Sequence, residues 1–361
     1  MTEIGSYFEY DYSLDVEKSK DINWLPQGMS DYTYTFSGRS AIELALVNIM
    51  ETEDIKRVYM PSYCCASMIS SFKKHNIEIL FYDVQVDEGG IYYNIEESQD
   101  FDIFFAMSYF GVEQSMDAII EKISKKNIIV LEDITHRLLS NKTHSAYSDY
   151  LIASLRKWFP IPTGGLLMSR QNQLIVKPKR NSDEYVVEQT KAMKLKTQFL
   201  NGDSAIQKDM FFNKFHFLNH NLQDIDYTFK IDKTSEELLH KLNVKKIIEK
   251  RRKNALVLYR YLKDFQLIKP LIKNINLEQM TPLFIPIIVK EPYQRNKLVK
   301  YLIKEQIYCP VHWPIPEELM LNSINDQLYA SEISVICDQR YSEKDMQKII
   351  KKIGEFEQQY V

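Results

Sequence analysis

Between about residues 36 and 170, short apolar runs alternate with longer stretches of helical period. RVYMPS, IEILFYDV, DIFFAMSY, NIIVLED and DYLIASL are compact and rich in β-formers. SAIELALVNIM, ASMISSFKKHN and MDAIIEKISKKN instead place apolar residues every three or four positions, with charge on the other face. Strand-like runs separated by amphipathic helices predict a mostly parallel central sheet flanked by helices, an α/β architecture. Residues of about 171–235 are polar, poorly periodic and aromatic-rich, so no elements are predicted there. Beyond them EELLHKLNVKKIIEKRRKNALVLYRYLKDF is helical, LFIPIIV is strand-like, RNKLVKYLIKEQ and SEKDMQKIIKKIGEFEQQ are helical, and YCPVHWPIP is a turn. This predicts a large domain over 1–235 and a smaller α+β C-terminal domain over 236–361. The length of 361 residues fits two domains.

Charge alters this picture little. The 46 basic and 49 acidic side chains are interspersed and leave a net charge of -3, so no global field draws the chain to nucleic acid or an anionic membrane. The basic run from Val244 to Lys253 reads as the solvated face of one amphipathic helix rather than a nucleic-acid contact. No segment approaches the roughly 20 apolar residues of a membrane span, and MTEIGSYFEYDYSLD lacks the basic flank and apolar core of a leader. No membrane insertion and a cytoplasmic location are therefore expected. Cys64, Cys65, Cys309 and Cys337 form neither C-x-x-C spacing nor a Cys/His cluster, so neither a disulfide framework nor a metal site is expected.

Four segments carry candidate chemistry. IIVLED ends a buried strand in Glu132 and Asp133, with His136 three residues on; ligands of parallel α/β sheets bind beyond such strand ends, although a strand-end acid also serves as a turn cap. DYLIASLRKWFPIPTGG follows a strand with Ser154, Arg156 and Lys157, then closes a turn with Gly164 and Gly165. A lysine crowded by Trp158 and Phe159 beside a cationic arginine is a candidate Schiff-base former, and Ser154 and Arg156 are candidate phosphate ligands. Ser37, Gly38, Arg39 and Ser40 open a helix, Ser40 with Glu43 matching a capping box, and a glycine there lets a phosphate approach the free amides. In PSYCCAS, Tyr63 or Cys65 is placed to pack on a planar cofactor, and core packing is the alternative.

Taken in order, these segments resemble the DegT/DnrJ/StrS family of pyridoxal-phosphate-dependent sugar aminotransferases. SGRSAIELAL resembles the family's phosphate-binding helix start, PSYCCAS its cofactor-stacking segment, EDITH its E-D-x-x-H/Q stretch, and Ser154, Lys157 and Gly164-Gly165 its S…K…GG segment. KRRKNALVLYRYL, IYCPVHWP and ICDQRYSEKDMQKI resemble the family's C-terminal helix, turn and closing stretch. The resemblance implies the fold of the fold type I pyridoxal-phosphate-dependent transferases and pyridoxal 5'-phosphate as cofactor, with Lys157 as the catalytic lysine. It further implies that Asp133 binds the pyridine nitrogen, that His136 lies near the phenolic oxygen, and that the turn bearing His312 and Trp313 faces the substrate cleft, a core tryptophan with a hydrogen-bonded histidine being the alternative. An amino donor, glutamate for preference, and a nucleotide-linked keto-sugar would be the substrates, in a homodimer serving surface-polysaccharide or amino-sugar synthesis. The family's g-y-N-x-R-M motif, whose asparagine reaches the neighbouring subunit's cofactor, has no counterpart between Asn201 and Ser235. A pyridoxal fold kept for a regulatory role is the alternative function.

Overall fold

The structure is a computed structural model that describes residues 3–11, 24–87, 90–96, 98–111, 116–171, 173–320 and 327–360. In chain order its strands are β1 (Ile4–Gly5), β2 (Asp31–Thr35), β3 (Arg57–Pro61), β4 (Glu78–Asp87), β5 (Gly90–Asn94), β6 (Ile103–Met107), β7 (Ile129–Asp133), β8 (Tyr150–Ser154), β9 (Gly165–Ser169), β10 (Ile268–Pro270), β11 (Ile285–Val289), β12 (Ile307–Tyr308) and β13 (Glu332–Val335).

Eight of them form one sheet in the order β2-β9-β8-β7-β6-β3-β4-β5. β8, β7, β6, β3 and β4 run parallel, while β9, β2 and β5 are joined by antiparallel pairings. The parallel strands are buried on both faces and read as unbroken apolar runs, IFFAM in β6 having every residue buried. Helices α1 (Gly38–Met50), α2 (Ala66–Lys74) and α3 (Asp117–Ser124) connect these strands and bury their apolar stripes on the sheet. The expected mostly parallel sheet with covering helices is what the chain forms.

Residues that gave no periodic signal fold into α4 (Asp183–Leu200) and α5 (Lys208–Asn221), while the helical segment from Glu236 divides into α6 (Lys233–Leu239) and α7 (Val244–Leu262). The first two pair as a helical hairpin that buries Ala192, Met193, Phe211 and Phe215 against Tyr7 and Tyr10. Their pattern was illegible because apolar residues also lie outside the core: Val187 is 62% exposed, Phe212 43% and Phe217 63%.

The C-terminal part holds an antiparallel sheet in the order β10-β11-β13. It is packed by α7 (Val244–Leu262), α8 (Pro292–Lys304) and α11 (Glu343–Glu357), with the short α9 (Glu317–Met320) and α10 (Gln327–Ser331) beside them. β1 pairs in parallel with β12, which carries Ile4 into this second core. On α7, Lys245, Lys246 and Lys253 are exposed as expected of a solvated face, but Arg251 is only 1% exposed. It donates to the Pro282 and Leu283 carbonyls at 3.3 and 3.0 Å and lies 4.5 Å from the centre of the Trp158 ring. Among the described residues no helix is long and apolar enough to cross a membrane, and all four cysteines are free thiols.

Gly165 shows how tightly the edge strands close. It pairs with Thr35 on one side and Ser154 on the other, and a Cβ there would stand 2.1 Å from the Ser37 carbonyl oxygen and 2.3 Å from Thr35 Oγ1. Backbone has to move to admit a methyl group. Gly165→Ala is therefore expected to cost roughly 1–3 kcal/mol, read as a lowered thermal midpoint; an unchanged midpoint would show that β2 is free to shift.

Candidate active site

The parallel strands end on one edge, and the candidate residues are set there. β7 ends in Asp133 and β8, its parallel neighbour, in Ser154. Side chains alternate along a strand, which separates the two adjacent acids. Glu132 is held by the Ser145 amide and Ser148 hydroxyl at 2.9 and 2.6 Å, whereas Asp133 lines a cavity of ≈ 530 Å³. Ser37, Gly38, Arg39, Cys65, Ser154, Arg156, Lys157 and Trp313 line the same cavity.

Local hydrogen bonds make this edge rigid. The Thr135 amide donates to Asp133 Oδ1 at 2.8 Å, and Thr135 Oγ1 accepts from the Ser154 amide at 2.9 Å, tying the turn after β7 to the end of β8. Leu155 to Lys157 form one turn of 3₁₀ helix. Trp158 anchors that turn by donating Nε1–H to the Thr135 carbonyl at 2.6 Å, and its own carbonyl accepts from Gln339 at 2.7 Å. Gln339 Oε1 in turn accepts from Arg251 at 2.8 Å, so the buried arginine of α7 braces the lysine turn from the C-terminal part. Gly164, at φ +151°, donates to the Phe36 carbonyl and accepts from the Leu155 amide, joining the lysine turn to the loop before α1.

That loop corrects one expectation. The helix cap is Ser37, not Ser40: α1 starts at Gly38, and Ser37 Oγ accepts from the Ser40 amide at 3.2 Å. Ser40 is buried with its hydroxyl 3.0 Å from that of Ser37, and Glu43 pairs with Lys74 rather than closing a capping box. Gly38 lies against β8, where a Cβ would stand 2.8 Å from the Ser154 Cβ.

Tyr63 also departs from expectation. It is fully buried outside the cavity lining, donates to the His312 carbonyl, and packs on Tyr109, Trp313 and Tyr329. Its hydroxyl needs a buried partner, and the turn before Trp313 supplies one. Cys65, the N-cap of α2, and Ser67 are the members of that segment that reach the cavity.

His136 is completely buried, and its Nδ1 accepts from the Phe110 amide at 2.9 Å. Burial, with Lys157 and His312 nearby, drives its pKa well below that of a free imidazole. The neutral ring therefore carries its proton on Nε2, 3.4 Å from Lys157 Nζ. Trp313 lies nearly parallel to that ring, with centroids 6.1 Å apart, and its own centroid is 5.9 Å from Lys157 Nζ. His312 is buried edge-on to His136 at 5.7 Å.

Two features show what the cavity accepts. The Asp133 carboxyl is 3% exposed, and its hydrogen bonds run to Thr135 alone. Burial raises its pKa, with Thr135 and Lys157 opposing the shift, so the site favours an added cation at that carboxylate. Near the N-terminus of α1, Arg39 has Nε and Nη1 buried with no hydrogen-bond partner among the described residues. Free helix amides and an unpaired guanidinium together suit an anion. Pyridoxal phosphate carries both complements, a protonated ring nitrogen and a phosphate, and these residues fit it.

A second cavity of ≈ 440 Å³ also reaches Arg156 and Lys157, and is walled by Tyr7 and Phe8, by Met193 of α4 and by Phe212 of α5. Arg340 in its wall is engaged by Asp338 and Glu9 at 2.8 and 3.1 Å. Sequence reasoning missed this wall. Tyr7 and Phe8 come from the N-terminal segment and Met193 and Phe212 from the region without periodic signal, where no local motif marks them; Tyr308, Asp338 and Arg340 come from the IYCPVHWP and ICDQRYSEKDMQKI segments.

No family model matches the chain. Among solved structures it is similar to Helicobacter pylori PseC, an aminotransferase involved in the biosynthesis of pseudoaminic acid, with 16% identity over 99% of this chain and 100% of that one and a TM-score of 0.69. The PLP-form of the putative sugar aminotransferase Spr1654 from Streptococcus pneumoniae aligns at 15% identity over 99% of this chain and 94% of that one, with a TM-score of 0.64. A DegT DnrJ EryC1 StrS aminotransferase from Brucella abortus aligns at 16% identity over 91% and 87% of the two chains, with a TM-score of 0.61. The chain therefore has the fold of these aminotransferases along nearly its whole length.

Proposed function

We propose that this chain is a pyridoxal-phosphate-dependent aminotransferase that moves an amino group from an amino donor, glutamate for preference, to a nucleotide-linked keto-sugar. The observation that carries the reading is the convergence of Lys157, the buried Asp133 carboxylate and the unpaired Arg39 on one cavity. When bound, pyridoxal phosphate supplies an aldehyde that captures amines and a ring that accepts an electron pair.

The chain's own residues do the rest. Asp133 holds a proton on the ring nitrogen, and its rigid tie to Thr135 fixes where that charge sits. Ser37, Gly38, Arg39, Ser154 and Arg156, which line the cavity, would hold the phosphate, with Ser40 buried behind Ser37, and Cys65 would pack on the ring. His136 offers its Nε2–H to the phenolic oxygen. Lys157 Nζ would anchor the cofactor and, when free, would hold and carry a proton beside the reacting substrate carbon. Trp313, which lines the cavity, would flank the substrate, with the buried His312 packed edge-on behind it.

The keto-sugar assignment draws on the neighbours, which include the PseC protein and DesI solved with its TDP-sugar product. The same reading makes the enzyme a cytoplasmic homodimer, with the exposed Met210, Phe212 and Phe217 of α5 available to a second subunit beside the site. It also places the boundary between the cofactor domain and the smaller C-terminal domain near residue 235.

Reconstituted protein is expected to show a visible absorbance band that glutamate bleaches and a keto acid restores. A band that forms but does not respond to any amino donor would instead favour the regulatory role.

A further inference from the structure

The second cavity opens on the same lysine as the cofactor cavity. Arg156 and Lys157 belong to the lining of both. The two are also joined by a hydrogen bond: Asn219 of α5, which lines the cofactor cavity, donates at 2.7 Å to the hydroxyl of Tyr7, a residue of the second lining. The N-terminal segment that carries Tyr7 is held in place. The Tyr7 carbonyl accepts from Lys196 of α4 and, at 3.0 Å, from Arg340, and its ring stacks on Phe215 with centroids 4.4 Å apart. A wall fixed before a ligand arrives loses little freedom on binding.

Gln189 of α4 marks this wall as a binding surface. It is 5% exposed and lines the second cavity, and its side-chain amide has no hydrogen-bond partner among the described residues. A sequestered amide without a partner is unfavourable until a ligand supplies one. The lining is otherwise largely aromatic and aliphatic, and ≈ 440 Å³ is in the range that buries ligands of drug size. Its charged members are four cations, Arg156, Lys157, Arg251 and Arg340, against one acid, Asp338, so the local field favours an anion. Glutamate does not match this lining. Its two carboxylates need free cations, whereas Arg340 is paired with Asp338 and Glu9, and Arg251 is engaged by the Pro282 and Leu283 carbonyls. Arg156, by contrast, makes no ion pair or hydrogen bond among the described residues. An anion with one charged end and a flat apolar body fits better, and a nucleoside diphosphate is such an anion.

We propose that the second cavity takes the nucleoside diphosphate of the acceptor: its base packs within the aromatic lining, the Gln189 amide hydrogen-bonds that base, and Arg156 faces the diphosphate where the cavity meets Lys157. A base edge presents a donor beside an acceptor, and a primary amide complements both. The sugar lies beyond the diphosphate and so reaches Lys157. The N-terminal segment and the α4–α5 hairpin thereby select which acceptor enters. Calling the ligand an acceptor rests on the transaminase reading; the affinity of the cavity for a nucleoside diphosphate does not.

The test uses the full chain loaded with pyridoxal phosphate, so that the cofactor cavity is filled, and titrates it with uridine and thymidine diphosphates by calorimetry. At least one nucleotide is expected to bind, and inorganic pyrophosphate to bind far more weakly because it brings no base. Gln189→Leu is expected to weaken the nucleotide on the order of tenfold, and Gln189→Glu to weaken it further by adding a negative charge to the cavity; a retained melting transition shows that each variant is folded. A reading without mutation comes from an azido-uridine diphosphate, whose photolabel is expected on the peptides that carry Tyr7 and Gln189. Wild type that binds neither nucleotide, pyrophosphate that binds as tightly, unaltered affinity in both variants, or labelling elsewhere overturns the subsite. Failure of glutamate to bleach the cofactor band of wild type overturns the transaminase reading instead, and leaves nucleotide binding to judge the cavity.

Discussion

Lys157→Ala is expected to lower the half-reaction on the order of 10⁴-fold or more, because one nitrogen serves both as the covalent anchor and as the proton carrier. Borohydride is expected to fix the cofactor to the wild-type chain at Lys157 and to leave it removable from the variant, read by peptide mass. Lys157→Arg retains the charge but is expected to be equally inactive, which separates covalent chemistry from electrostatics. Lys196 provides the internal control. It has no exposure, and its Nζ is bound by Glu3 at 3.1 Å and by the Gly5 and Tyr7 carbonyls. Attachment at Lys196 in wild type would refute the assignment of Lys157.

Asp133→Asn is expected to slow the same step on the order of 10³-fold, since a neutral amide does not hold a proton on the ring nitrogen. Its effect on the cofactor-free chain should have the opposite sign. Burial raises the folded-state pKa of Asp133 above the ordinary 3.8, so the folded chain binds that proton more tightly than the unfolded chain. Stability is then lost as pH rises from the unfolded value through the folded one, and at neutral pH the ionised carboxylate is a net cost. Without cofactor, Asp133→Asn should therefore melt at a higher temperature than wild type; with saturating cofactor the order should reverse. A variant less stable than wild type in both states would mean that Asp133 serves chiefly as a turn cap.

The candidate site was legible to the extent that it lies at ends of elements. Asp133 closes an apolar run and Lys157 follows the next one, so the strand pattern alone put both at an edge where ligands bind. The departures concern single residues, and their causes lie far along the chain. Ser37 and Ser40 are both competent capping residues, and the choice between them depends on Gly38 packing against Ser154. Tyr63 and Cys65 lie two positions apart; which one faces the cavity depends on a buried carbonyl for the tyrosine hydroxyl, supplied by His312 far along the chain. Arg251 looked like one of several solvated cations on α7, and only the adjacent Pro282 and Leu283 carbonyls and the Trp158 ring make its burial tolerable.

By itself, then, the sequence determined the run of parallel strands β3, β4, β6, β7 and β8 with their covering helices, and set Asp133 at the end of one strand and Lys157 just after the next, because apolar periodicity and turn residues act over a few positions. Tertiary structure decided the rest. It set β2 beside β9, closed the second cavity with the N-terminal segment and the α4–α5 hairpin, and brought His312 next to His136 with Glu332 and Ser334 behind it. Those relations join residues far apart in the chain, and they arise from burial and hydrogen-bond satisfaction in the folded protein rather than from any local pattern.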